Sequence, residues 1–135
     1  MPAPVNLVMK TDIRAVAEAF SSHRFAEAYD HLADDVRWEA IGRSGMDGRD
    51  AIVGACEQTL ASLAEVTVEP VRFRSVAGDD TVAVDTLTRY VAADGQVSIV
   101  SSCDFYRFAD DRLVTITSYA AEVDAETCAR LAERP

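Results

Sequence analysis

The chain has 135 residues, 49% hydrophobic and 27% charged, the balance of one ordinary globular domain rather than of a disordered segment. That length supports one hydrophobic core and leaves no room for a second domain. Its 23 acidic against 13 basic residues give a formal net charge of −10, which repels phosphate backbones and anionic lipid surfaces and argues against nucleic-acid or membrane partners.

Residues 1–10, Met-Pro-Ala-Pro-Val-Asn-Leu-Val-Met-Lys, read as an N-terminal arm without the basic start and long apolar core of a secretory signal. Thr11-Asp12 can cap a first helix, in which Ile13, Val16, Ala17 and Phe20 fall at helical spacing. After Ser21-Ser22-His23, the spacing of Phe25, Ala28, Tyr29 and Leu32 predicts a second helix ending near Asp34-Asp35. Val36, Trp38 and Ala40 then alternate with Arg37, Glu39 and Ile41 as in a short strand, and 42–48 reads as a Gly- and Ser-rich loop. A third helix is expected over 49–63, carrying Ile52, Val53, Cys56, Leu60 and Leu63.

Beyond it the chain turns β-rich. Four strands are expected over 66–77, 81–92, 97–109 and 113–123, joined by turns at Gly78-Asp79, Asp94-Gly95 and Asp110-Asp111. Asp124 can cap a short helix in the tail, 125–135. Helices placed ahead of an antiparallel meander predict a single α+β domain over 11–124, with helices packed on one face of a curved sheet and a ligand pocket between the layers.

Candidate chemistry gathers on one strand. Asp104, in Ser-Cys-Asp-Phe-Tyr-Arg-Phe (102–108), sits among apolar and aromatic residues, and a carboxylate facing a dry interior must be paired, protonated or working. If Asp94-Gly95 is the tip of the preceding hairpin, Asp85 lies directly opposite Asp104, with Cβ atoms ~5 Å apart. Two carboxylates at that distance cannot both ionise comfortably, so one should hold a proton near neutral pH and the pair should serve as acid and base. Arg89 shares the face of Asp85, and a slip of one residue would move both to the other face. Tyr106, Ser102 and Ser118 share the face of Asp104. Trp38 is expected in the core and the pocket wall, Tyr119 on the outer face, and Cys103 opposite Asp104 as a small hydrophobe. Three widely spaced cysteines (Cys56, Cys103, Cys128) and two histidines (His23, His31) support neither a disulfide framework nor a metal site, and no cofactor is expected. The expected location is the cytoplasm.

The element order, Leu-Ala-Asp-Asp-Val-Arg-Trp-Glu (32–39), Met-Asp-Gly-Arg-Asp-Ala-Ile (46–52) and the last hairpin resemble the NTF2-like superfamily. Cys-Asp-Phe-Tyr-Arg-Phe (103–108) and Ile-Thr-Ser-Tyr-Ala-Ala-Glu-Val-Asp (116–124) look most like the ketosteroid isomerase and SnoaL-like polyketide cyclase branch. The resemblance implies a cone of three N-terminal helices on a curved, mainly antiparallel sheet. It also implies a homodimer formed through the outer face of the sheet, and a small apolar ligand inside. Asp104 falls where the isomerases keep a protonated aspartate that donates to the enolate oxygen. Ala40 stands at the position of their base, Val16 at that of their oxyanion tyrosine, and Ala120 where an aromatic lines the pocket. Two of three catalytic groups are therefore missing, and ketosteroid isomerisation itself is not expected. The cyclases imply an acid/base role for Asp104 on an acidic carbon, so isomerisation, cyclisation or dehydration of a polyketide-, steroid- or terpenoid-like molecule is the leading expectation. A non-catalytic binding or dimerisation domain is the first rival. An epoxide hydrolase using Asp85, Arg89 and Asp104 is the second, although Asp85 and Arg89 lie ~13 Å apart along a strand.

Overall fold

Asp12 starts the first helix as its sequence position indicates: the carboxylate accepts from the Ala15 amide at 3.1 Å, and α1 runs Ile13–Ser21 with Val16, Ala17, Ala19 and Phe20 buried. The computed structural model describes residues 10–133, so the expected arm over 1–10 lies, apart from Lys10, outside the described residues, as do the last two residues of the tail. The expected second helix does not form. Phe25–Glu27 and Tyr29–His31 are two separate 3₁₀ turns, closed by Ala28 N–H to Phe25 O at 2.8 Å and His31 N–H to Ala28 O at 2.9 Å. Leu32 already opens the first strand, β1 (Leu32–Ala40). Phe25, Ala28 and Leu32 are all buried, and tight turns place that spacing on one side of the chain as readily as a helix does.

The 42–48 loop is also corrected. Gly42, at φ +81°, and the bond from Arg43 N–H to Ala40 O (3.0 Å) fold the chain back, and β2 (Ser44–Asp47) pairs antiparallel with β1. It is a short edge strand with no apolar alternation to betray it; Arg37 of β1 holds Asp47 at 2.6 Å and Glu39 at 2.7 Å instead. The helix α2 follows as Arg49–Ser62, with Ile52 and Cys56 buried.

The meander forms as β3 (Thr67–Ala77), β4 (Thr81–Val91), β5 (Val97–Ala109) and β6 (Arg112–Val123). The last turn holds Asp110 and Asp111 at φ +52° and +61°, a two-residue connection of left-handed residues that suits the twist of paired strands. The β4–β5 turn is different. Ala92 N–H bonds Gln96 O at 2.8 Å, Gly95 N–H bonds Ala92 O at 2.9 Å, and Gly95 takes φ +90°, so the tip is the three residues Ala93-Asp94-Gly95. The extra residue shifts the register by one: Val84 faces Asp104, and Asp85 faces Cys103.

The sheet order is β2-β1-β6-β5-β4-β3, with β1 parallel to β6 and the other neighbours antiparallel, giving an α+β fold on a curved, unclosed sheet. On its inner face α1 crosses β3–β5 and α2 lies against β1 and β2. Arg14 and Glu18 pin α1 to Ser75 of β3, at 3.0 Å and 2.6 Å. The main core, including Phe20, Phe25, Leu32, Val36, Ile52, Val84, Tyr106 and Ile116, lies in this layer. The tail does not join it. Asp124 caps α3 (Ala125–Ala132), which lies on the outer face, where Cys128 and Leu131 pack with Leu87, Ile99 and Val123.

Candidate active site

A cavity of about 320 Å³ opens between the end of α1, α2 and the inner face of β1, β4, β5 and β6. Its apolar lining is Phe20, Phe25, Trp38, Ala40, Ile41, Val100 and Ala120. Its polar groups are Asp104, His23, Tyr90, Ser21, Ser102, Ser118, Thr86 and Thr59, and Arg43 is the one arginine or lysine among the lining residues.

Asp104 is the carboxylate of this cavity, and three hydroxyls converge on it. Ser21 donates to Oδ2 at 2.9 Å, the Tyr106 hydroxyl stands at 3.5 Å from the same oxygen, and Ser118 is the cross-strand neighbour of Asp104 on β6. The donors are fixed from behind. Trp38 Nε1–H, which can only donate, bonds Ser118 Oγ at 2.9 Å and fixes the serine beside Asp104. Because Ser21 spends its proton on Asp104, its 2.6 Å contact with Tyr106 has the phenol as donor. The Tyr106–Ser21 relay thus ends on the carboxyl, with the Trp38–Ser118 pair beside it. Burial pushes the Asp104 carboxyl above the usual carboxylate range; the three hydroxyls and nearby His23 pull the other way without cancelling it. At the same cavity, burial lowers the His23 imidazole below its ordinary value against the pull of Asp104.

The register decides the other assignments. Asp85 is not the partner of Asp104: it lies on the outer face, where Arg74 Nε holds Oδ2 at 2.6 Å and Arg72 lies at 3.4 Å. Arg89 is on the same outer face, paired with Glu69 at 2.6 Å. A shared-proton pair of Asp85 with Asp104 and an Asp85–Arg89–Asp104 epoxide site are therefore both ruled out by the three-residue hairpin tip. Trp38, Ala40, Ser102, Ser118 and Ala120 line the cavity with Asp104; Ser102 also shares a 2.7 Å hydrogen bond with Thr86. Tyr106 lies wholly buried behind Asp104, and Val16 packs in the core under α1 rather than on the cavity wall. Cys103 is on the outer face, and all three cysteines are free.

Sequence reasoning missed Ser21, His23, Thr86 and Tyr90. Thr86 and Tyr90 follow from the same parity as Val84 once the correct register is used; Ser21 and His23 sit at a helix end, where no periodicity points inward. Among the described residues no group of three or more His, Cys, Asp or Glu side chains could hold a metal ion, and no helix is long and apolar enough to cross a membrane.

The SnoaL-like domain family matches residues 13–116, and the chain belongs to it. Solved structures agree on the NTF2-like fold. An NTF2-like protein of unknown function from Cytophaga hutchinsonii superposes with a TM-score of 0.72 at 28% identity, over 81% of this chain and 96% of that one. A proposed polyketide cyclase from Xanthomonas campestris gives 0.63 at 17% identity, over 90% and 93%. An epoxide hydrolase from Mycobacterium tuberculosis, of the LEH-like type, gives 0.61 at 19% identity, over 81% of each chain. No curated protein matches the chain.

Proposed function

We propose that the protein is an enzyme that performs acid/base chemistry (isomerisation, cyclisation or dehydration) on an apolar, oxygen-bearing small molecule, with Asp104 as the acid that meets the ligand oxygen. One observation carries this reading. A buried carboxyl held above its usual range lies in a cavity of mixed apolar and polar lining and is oriented by the Tyr106–Ser21 relay. Such a group keeps its proton at higher pH than an exposed aspartate and can donate it to a developing enolate, which is stabilised most where water is excluded. The volume stands at the small end of ligand pockets, ~300–1,000 Å³, and favours the smaller members of the polyketide-, steroid- and terpenoid-like class. No cofactor enters this reading. The exposed outer-face pair Phe105 and Tyr119, edge to face at 6.4 Å, is assigned to self-association as a homodimer.

The non-catalytic reading has one specific support, the absence of a carboxylate at Ala40 and of a tyrosine at Val16. The two readings part in a thermal-shift comparison of wild type and Asp104→Asn against terpenoid enones, aromatic polyketides, steroids and terpene epoxides. The acid/base reading expects ligands that raise the wild-type Tm by several degrees and lose most of that effect in the variant. Ligands that stabilise both proteins equally would leave a pocket without a working carboxyl and sink it.

A further inference from the structure

Where α1 ends, His23 occupies a place that glycine fills at least cost. Its φ is +65°, the left-handed region, where a residue carrying a Cβ costs about 1 kcal/mol more than glycine. The capping pattern demands that conformation: Arg24 N–H reaches back to Ala19 O at 2.9 Å, and His23 N–H to Phe20 O at 3.2 Å. A strained non-glycine residue at a cavity wall points to a use for its side chain. The imidazole lines the cavity with Asp104, stands edge-on to Phe25 and Tyr90 with ring centroids at 5.7 and 6.0 Å, and has Nε2 3.5 Å from the Tyr90 hydroxyl. The titratable and charged groups sharing its surroundings are Asp104 from β5, Tyr90 from β4 and Arg43 from the β1–β2 connection. Burial keeps the ring neutral near pH 7, the form able to accept a proton.

We propose that His23 is the general base of the cavity and that the ligand is a carbon acid, a ketone or aldehyde with a removable proton beside its carbonyl. This rests on the role given to Asp104 above. The imidazole takes the proton, the C–H electron pair becomes the enol double bond, and the carbonyl π pair moves to oxygen, which receives the Asp104 proton. In a β,γ-unsaturated ligand the enol is a dienol: the His23 proton returns to the γ-carbon on the electron pair of its double bond, and the α-carbon pair shifts to join α and β. The enol O–H pair restores the carbonyl as its proton goes back to Asp104, which completes an isomerisation without any co-reactant. Base and acid then come from different elements, the end of α1 and the middle of β5, with the ligand between them.

The test needs no natural substrate. The neutral bicyclic carbon acid 5-nitrobenzisoxazole opens when a base removes its carbon-bound proton; the C–H pair completes a nitrile and the N–O bond breaks to release a coloured phenolate. The full chain should accelerate this reaction over buffer, with a rate that rises with pH to a plateau whose midpoint lies below the ordinary histidine value. His23→Gly should lose roughly 10²-fold in rate together with that pH step. It should keep or raise the wild-type Tm, because glycine relieves the left-handed strain, and free imidazole should restore part of the rate. Asp85→Asn, on the outer face, should match wild type. A wild-type rate no faster than buffer, a His23→Gly variant that keeps rate and pH step, or a loss that imidazole does not restore overturns the proposal. If His23 fails this test while ligand stabilisation still depends on Asp104, the base is misassigned and the acid stands; if that dependence on Asp104 is absent as well, the acid/base reading falls with it.

Discussion

Asp104 and His23 are both shifted by burial, and the two shifts tilt stability in opposite directions with pH. The folded state holds the Asp104 proton more tightly than the unfolded chain does, so this group's contribution is full at acid pH and is lost as pH rises above the ordinary aspartate value of ~3.9. His23 holds its proton less tightly when folded, so its contribution is full above the ordinary histidine value of ~6.5 and is lost as pH falls through the lowered one. Asp104→Asn should therefore gain stability relative to wild type between pH 4 and 7 while losing activity. Thermal melts across that range read it, each kcal/mol appearing as roughly 3–5 °C in Tm for a chain of this size. Tyr106→Phe removes the phenol that feeds Ser21. It should cost about 1 kcal/mol in a denaturant titration, and it should raise the Asp104 titration midpoint further by weakening the donor set. Asp104 was legible in the sequence because a charged residue interrupts an apolar strand. His23 was not, because a left-handed backbone at a helix end leaves no mark when the residue is neither glycine nor asparagine.

Between residue and fold, one hairpin decides which side chains meet. Strand identities followed from composition and turn residues, but register turns on whether Asp94-Gly95 forms a two-residue tip or the last two places of a three-residue one. The pair occurs in both, and the bond from Ala92 N–H to Gln96 O selects the longer. That single residue takes Asp85 and Arg89 off the site and brings Thr86 and Tyr90 onto it. Gly95 stands at φ +90° with nothing within 4 Å of a built Cβ, so Gly95→Ala meets backbone strain alone. The substitution should cost about 1 kcal/mol in denaturant unfolding and leave pocket ligands bound. Asp85→Asn breaks a partly exposed ion pair with Arg74, should cost no more than about 1 kcal/mol, and should leave ligand-induced stabilisation intact. A ligand response lost with Asp85 would contradict this register. The 3₁₀ turns and β2 stayed hidden for a related reason: short elements have too few residues to display a period.

Across the whole molecule, the curved sheet separates two tasks. Its inner face carries α1, α2, the main core and the cavity; its outer face carries α3 at one end and an exposed apolar patch with Phe105 and Tyr119. Phe105→Asp should reduce self-association in light scattering while leaving ligand stabilisation at the inner face unchanged, since Phe105 points away from the cavity lining. Helices preceding a meander sufficed to read the α+β layering, and the family match over residues 13–116 agrees with it. Cavity contents depended on helix ends and register, which local pattern does not encode. The claim on which the function turns is the state of one carboxyl, and it can be measured without a substrate. Carbon-13 NMR of the aspartate carboxyls, with the Asp104 signal assigned by its absence in Asp104→Asn, follows its titration in the intact chain. The midpoint should lie clearly above the ordinary aspartate value of ~3.9; a midpoint at or below that value would contradict an Asp104 that holds its proton.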